Sequence, residues 1–466
     1  MKKILLNTKI IILVITAIGI ISCADDDDNG NIIDNTPSNT ILDIIISNPD
    51  YSSFLAALSQ TGVNATVAGN GNFTVFAPNN AAFDALLGGT SLEDIDNAVL
   101  TQLVLNHIIN TELFAADLTT GYQKTLAIED ASNATIDMYI DTTNGVVINN
   151  QSSVIATDTD ADNGVLHEVD TVINVPTIAT FAVIDPRLDS LEAALTDEGN
   201  TTFTDILSDA TLDFTVFAPT NDAFTTFLDG ATLDDIDNDV LDQVLSNHVL
   251  PETVAVSSAL TNSYVNTAAI FNGDTNAPIT MYVNTDNGVQ LNGASSVTQA
   301  DIVTSNGVIH VVDTVVPLPD VTTFIFADPN FSSLLEAILA DPNVDYITAL
   351  QAPIGDGATP FTGFAPTNDA FANLFTDLNV TDISEIPLMD LSTIVELHNI
   401  VNMNIRAEEL TAMDGMSFTT FSGLDITIDA TTPAIIGPDG ESSLLLMTDL
   451  QTTNGVVHTI DRVLRN

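Results

Sequence analysis

The sequence predicts an α+β fold built three times in tandem, and three observations carry that prediction. The segment FTVFAPNNAAF from Phe73 returns as FTVFAPTNDAF from Phe214 and as FTGFAPTNDAF from Phe361. Within each repeat, stretches of helical periodicity come first and alternating, strand-like stretches come last. Finally, 45% of the 466 residues are hydrophobic although acidic residues outnumber basic ones 63 to 8, so the formal charge of -55 lies on the surface of ordinary apolar cores and does not mark a disordered chain. Such a surface repels phosphate backbones and anionic headgroups, which excludes nucleic acid as a partner.

Lys2, Lys3 and Lys9 flank or precede an apolar run from Ile10 to Ile21. The run is shorter than the roughly 20 residues that span a bilayer and has the length of a secretory signal core. A small residue, Ser22, then stands before Cys23, the sole cysteine. The segment resembles a bacterial lipoprotein signal, in which residues 1–22 are removed and Cys23 carries the lipid. With its one cysteine so used, the chain forms no internal disulfide. Residues 23–39, with the run Asp25-Asp26-Asp27-Asp28, read as an acidic flexible tether. The acidic run resembles the surface-export signals of such lipoproteins. The expected location is the outer membrane, displayed on the cell surface, with the periplasmic face as the alternative and with membrane contact through the N-terminal lipid only.

A repeat of about 145 residues is the size of a globular domain and far above that of a solenoid unit. The expected domains are residues 40–176, 177–319 and 320–466, with short joints around Pro176 and Pro317 that restrict motion without freezing it. Each unit opens on a helical motif: NPDYSSFLAAL from Asn48, DPRLDSLEAAL from Asp185 and DPNFSSLLEAI from Asp328. The phenylalanine-rich box reads as a strand stopped at Pro78, Pro219 or Pro366, with Asn79 and Thr220 placed to cap the helix that follows. A helix is expected over residues 92–109, with Ile95, Val99, Leu103 and His107 along one side. Near the end of each unit an Asn-Gly turn leads into a largely buried strand. In the middle copy Val308, His310 and Val312 share one face of it, and Ile309, Val311 and Asp313 the other. Helices in the first half and strands in the second make each unit α+β.

These motifs, in this order and at this spacing, together with Asn106-His107 and Asn247-His248 at the end of the mid-domain helix, resemble the fasciclin domain family over nearly all of residues 40–466. The resemblance implies three tandem domains, each a helical first half packed on a β-sheet wedge, and a role in adhesion. The third copy departs from the pattern: Gly363 replaces a valine, His398 precedes Asn399, and residues 351–360 form an apparent loop insertion. The first copy has Asn79-Asn80-Ala81 where the others have Thr-Asn-Asp.

All six histidines fall at repeat-equivalent places, His107, His248 and His398 on the helix and His167, His310 and His458 on the last strand. Two per unit is a number that metal ligation or general-base chemistry would use. The strand histidines, however, have apolar residues on either side along the same face, which points to imidazoles bonded within the fold. No HExxH, cysteine pair, GxSxG elbow, Walker loop or dinucleotide fingerprint is present. No catalytic residue, metal ligand or cofactor is therefore assigned, and the chain is not expected to be an enzyme. The stretch from Asp158 to Gly164 resembles a calcium loop, but Asn163 and Val169 stand where such a loop needs Gly and Glu. Weak, collective binding of divalent cations by the acidic surface is the expectation.

An aspartate stands at the same distance before the glycine of each end motif: Asp158, Asp301 and Asp449. Some animal fasciclin-domain matrix proteins have an Asp-Ile pair there that is implicated in integrin binding. Asp301-Ile302 matches it, Asp449-Leu450 matches approximately, and Asp158-Thr159 does not. The apolar residues around the helix histidine, His248-Val249-Leu250, correspond to a second region implicated in adhesion. Read from the residues themselves, the aspartate is a carboxylate that accepts N–H groups of a turn before the strand. The expected function is that of a surface-anchored adhesion protein binding a protein or polysaccharide at the cell surface or in the matrix. The alternative is an envelope carbohydrate- or lipid-binding subunit of an uptake or degradation system, which requires a small-molecule groove. With no tryptophan and six tyrosines, stacking on sugars has little to work with.

Overall fold

The phenylalanine-rich strand of each repeat is buried at every position because both of its faces are covered, and its one polar residue, Thr74, Thr215 or Thr362, bonds a backbone carbonyl. The computed structural model describes residues 39–196 and 202–466. In the first repeat the strand Phe73–Pro78 is buried along its whole length. Phe73, Val75 and Ala77 face the helices, where they meet Phe54, Phe83 and Leu103, while Phe76 faces the interior of the sheet with Met138, Ile140 and Ile148. The same two-part core recurs around Val216 and Phe217, and around Phe361 and Phe364.

The last strand of each repeat, Gly164–Val169, Gly307–Val312 or Gly455–Ile460, runs parallel to the first and beside it. In the first repeat the intervening strands close the sheet into a barrel, and the other two repeats keep the same strand order as seven-stranded sheets. This close parallel approach is why the end motif carries glycine. A Cβ on Gly164 or Gly307 would lie 2.0 Å from the carbonyl oxygen of Phe73 or Phe214, and both glycines have left-handed φ values, 140° and 145°. The asparagine before it does more than turn the chain. Asn163 accepts from the Ile41 N–H that opens the first helix and donates to the carbonyls of Val67 and Gly69. Asn306 and Asn454 tie Ile178 and Val321 in the same way.

The expected caps are present: Asn79 and Thr220 accept from Ala82 and Ala223, and Thr367 from Ala370. The residue after each cap explains a further part of the motif. Asn80, Asn221 and Asn368 each accept an N–H from Ser53, Ser190 or Ser333 and donate to the carbonyl of Pro49, Pro186 or Pro329, pinning the 3-10 turn of the opening motif against the box.

One expected element is shorter than its sequence pattern. The helix spans Asn97–Leu105, preceded by a separate 3-10 turn at Leu92–Asp94, because Asp96 caps the helix with its carboxylate. Its buried face is Leu100, Leu103 and Val104, and Val99 points outward, 62% exposed. His107 lies beyond the helix end and is buried. The stretch from Asp158 to Gly164 is the end of strand Ser152–Ala161 and a hairpin turn, with Asn163 buried at its core. Cys23, the leader and residues 23–38 of the tether lie outside the described residues.

Candidate functional site at the domain joints

Both nitrogens of every histidine are committed to backbone partners. On the helix side, Nδ1 of His107, His248 and His398 donates to the carbonyls of Leu103, Val244 and Ile394, and Nε2 accepts from the N–H of Ile173, Val316 and Leu464. Burial pushes these three imidazoles down to about 4, so they are neutral at physiological pH. On the last strand the tautomer is reversed. Nε2 of His167, His310 and His458 donates to the carbonyls of Leu113, Ala255 and Ile405, and Nδ1 accepts from the N–H of Asp158, Asp301 and Asp449. No lone pair is left for a metal or for a proton in transit. Each histidine instead fastens a loop to the sheet. Among the described residues no group of three or more His, Cys, Asp or Glu side chains is placed to hold a metal ion.

The three aspartates that receive these bonds share a left-handed backbone, φ 62° in each, where the strand bulges against its neighbour. Their carboxylates accept turn N–H groups, from Ala115, Ser257 and Ala407 respectively. Their surroundings differ. Thr159 is exposed, whereas Ile302 is 1% and Leu450 3% exposed. Ile302 belongs to a core that also contains Tyr139 of the first domain, and Leu450 to one that contains Tyr282 of the second. The preceding domain therefore packs over Ile302 and Leu450, while the Asp301 side chain stays 36% exposed. An external partner reaches these apolar side chains only if the joint opens. His248, Val249 and Leu250 are likewise buried.

What covers them is a repeated docking device. Tyr122 and Tyr139 stand opposite each other on two strands of the first domain, rings 5.1 Å apart, as Tyr264 and Tyr282 do in the second at 4.9 Å. Tyr122 packs edge-on against Phe181 of the next domain, and Tyr264 against Phe324. The hydroxyl of Tyr122 donates to Asp185 at 3.0 Å, and that of Tyr264 to Asp328 at 2.8 Å, with Tyr282 at 3.4 Å from the same carboxyl group. These aspartates also cap the 3-10 turns that open their own domains. A second contact lies beside the first. Asp137 accepts the N–H of Val303 at 2.7 Å, and the hydroxyl of Thr280 accepts that of Gln451 at 3.1 Å. The linker is held too, since Pro176 O accepts from Ser305 and Pro319 O from Thr453.

The outer positions equivalent to these, on the opening turn of the first domain and the strand pair of the third, carry other residues. The first domain has Ile44 and Asn48 where the others have phenylalanine and aspartate, and Asn48 still caps its turn. The third domain has Ser417 and Thr427 in place of the tyrosine pair. The sequence motifs did not single out the tyrosines. The signal available was that four of only six tyrosines in the chain occupy two repeat-equivalent pairs.

The first joint is also charged. Lys124 bonds Asp137 at 2.6 Å and the carbonyl of Asp301 at 2.7 Å, and Arg187 pairs with Asp185 while lying over the Tyr122 ring. Burial pushes Asp137 up to about 6, against the pull of Lys124 and of the Val303 N–H. Burial acts the same way on Asp185, but its bonds from Arg187 and Tyr122 hold it below the usual carboxylate range. Burial, then Asp185, raises Tyr122, and burial, then Asp328, raises Tyr264 and Tyr282, so all three stay protonated donors.

Among the described residues no helix is long and apolar enough to cross a membrane. Human periostin is 28% identical over 414 residues, 86% of this chain and 44% of periostin, so the chain spans less than half of that relative. Protein sll1483 of Synechocystis sp. is 34% identical over 140 residues, 29% of this chain and 74% of that protein. Among solved structures, a FAS1 domain pair from the insect cell adhesion molecule Fasciclin I aligns with a TM-score of 0.39 at 18% identity, covering 57% of this chain and 97% of that one. The fasciclin domain model matches residues 49–176, 187–319 and 329–466, and each match holds one complete copy of the sheet whose first and last strands run in parallel. Three tandem domains thus account for most of the sequence, and the chain belongs to the fasciclin domain family.

Proposed function

We propose that this protein is a surface-displayed adhesion protein, anchored by a lipid on Cys23 at the outer membrane and binding a protein or polysaccharide of the matrix or of a neighbouring cell. The observation that supports this reading best is the duplicated joint. Two equivalent sets of tyrosine, aspartate and backbone contacts hold three fasciclin domains in a defined series. Domains held in this way engage an extended partner together, and several weak contacts then add through effective concentration. The face that receives the preceding domain in the second and third copies is exposed in the first around Asp158 and Thr159, which makes it a candidate contact surface. The strongly acidic surface favours partners with cationic groups and gathers divalent cations weakly.

Cells lacking the gene are expected to attach less to matrix polymers and to one another, with attachment restored by the wild-type chain and not by a Cys23→Ala chain that is no longer retained on the cell. Equal attachment by the deletion strain across such surfaces would end the adhesion reading. Equal attachment by the Cys23→Ala strain would end the anchoring part alone.

A further inference from the structure

The third domain carries an apolar pocket of about 400 Å³ between the helix Tyr346–Leu350, the loop after it and the end of the helix Leu388–Leu397. Leu350, Ala352, Ala358, Phe361, Val395 and Phe421 form its apolar walls. Its polar side chains are three: Tyr346 donates its hydroxyl to Glu396 at 3.1 Å, and Asn399 lies beside them. The volume falls within the range of small-molecule sites.

Several departures of the third repeat from its siblings converge on this one place. The loop at residues 351–360 is longer than its counterparts at 69–72 and 208–213. The cross-strand pair that is Val75 with Ile108 and Val216 with Val249 becomes Gly363 with Asn399, where a Cβ on the glycine would lie 3.4 Å from Asn399 Oδ1. Glu396 stands where the siblings have Leu105 and Ser246. Phe421 replaces Leu126 and Ala268, follows a threonine whose hydroxyl bonds a backbone carbonyl in each copy, and remains 47% exposed at the pocket. A purely structural drift has no reason to place a carboxylate, an amide and a phenol in one corner of an otherwise apolar cavity.

We infer that this pocket binds a small hydrophobic amine, with the apolar body against Phe361, Phe421 and Leu350 and the ammonium group at Glu396 and Asn399. Charge selects the class. A carboxylate head would meet Glu396 in a chain of formal charge -55, whereas an ammonium head gains the carboxylate of Glu396 with the Asn399 amide beside it. No residue lining the pocket bonds across a joint, so the adhesion reading and this one stand or fall independently.

The test is calorimetric titration of the purified protein with decylamine, 1-decanol and decanoate. One saturable decylamine site per chain is expected, with decanol about tenfold weaker and decanoate weaker still. Ala358→Phe, which fills the pocket, should abolish the site. Glu396→Gln should bring decylamine and decanol within about threefold of each other. Should Ala358→Phe lower the melting temperature, Ala352→Leu serves as the second filling variant. Many equivalent sites that persist in both filling variants would show decylamine bound by the acidic surface alone and overturn the proposal. So would binding of decanoate as tight as that of decylamine, or no saturable site for any of the three.

Discussion

The joint between the first and second domains and the joint between the second and third use one geometry with different chemistry. At the first, Lys124, Asp137 and Arg187 surround the contact. At the second, the same positions are Asn266, Thr280 and Asn330, all neutral. Yet both joints keep the tyrosine pair, the aspartate it binds, the phenylalanine under the ring and a side-chain oxygen that receives one backbone N–H. The difference teaches that packing and neutral or singly charged hydrogen bonds set the docking, and that the ion pair at the first joint is an addition with its own dependence on pH and salt. The protection of two amides against hydrogen exchange, Val303 at the first joint and Gln451 at the second, reads the two joints separately.

Removing one member of the buried pair should break the symmetry most. Lys124→Met leaves the Asp137 carboxyl almost fully buried without its cation, a change worth about 3–5 kcal/mol for a fully buried pair. Because Lys124 itself is half exposed, about 2–3 kcal/mol is expected. Val303 should lose roughly 30- to 160-fold in protection at pH 8 while Gln451 is unchanged. Equal loss at both amides would mean that the domains do not dock independently. At the second joint, Asp328→Asn keeps an acceptor for the turn, as Asn48 does in the first domain, but gives up a charged acceptor for Tyr264 and Tyr282. The expected cost is about 1–2 kcal/mol, read as a fall in Gln451 protection with Val303 constant.

The domains were far more legible in the sequence than the joints. Strand, turn and cap in the FTVFAP box follow from local chemistry: Pro78 cannot continue the ladder, and Asn79 satisfies an orphan N–H. The apolar neighbours of His167, His310 and His458 pointed to half-buried, bonded imidazoles, and the structure buries all six histidines. The mid-domain helix looks longer in the sequence than it is, because Ile95 and Val99 continue the apolar spacing through the point where Asp96 starts a new helix. The tethering of Asn163 to Ile41 was invisible, since nothing local says which distant N–H a turn asparagine will meet. Asp301-Ile302 looked like a surface motif because a strand pattern reports that one face is apolar and not whether the next domain or solvent covers it. That distinction needed Tyr139, well over a hundred residues away.

Acidification should pull the two joints apart in sign. Asp137 is raised in the docked protein to about 6 from an ordinary value near 4, so the docked state takes up a proton in this window that the undocked state leaves in solution. Docking through this group therefore strengthens as pH falls from 7 to 5, by about 1 kcal/mol, and weakens as pH rises through 6. The helix histidines work the other way. Their values near 4 lie below the unfolded value, so their contribution is complete above pH 6.5 and is lost as pH falls toward 4. That loss occurs in all three domains and lowers the protection of Val303 and Gln451 together. The difference between the two amides isolates Asp137. It should grow in favour of Val303 on going from pH 7 to pH 5, and a constant difference would mean that Lys124 fully compensates the burial of Asp137.

The smallest expected effect is the most demanding on the comparison. Lys124→Asn together with Asp137→Thr gives the first joint the neutral cross-strand pair of the second and leaves Arg187 on Asp185. The introduced threonine would offer its hydroxyl to the Val303 N–H as Thr280 does to Gln451, and the carbonyl of Asp301, exposed at the rim, would exchange Lys124 for water. Replacing both partners of a buried pair avoids the stranded charge that makes the single substitution costly. The double variant should therefore dock within about 1 kcal/mol of wild type, lose its pH difference between Val303 and Gln451, and weaken less with added salt than wild type, because only the Arg187–Asp185 pair remains charged. If it undocked as far as Lys124→Met alone, the ion pair and not the tyrosine-aspartate device would be what holds the first joint, and the two joints would share a shape without sharing a cause.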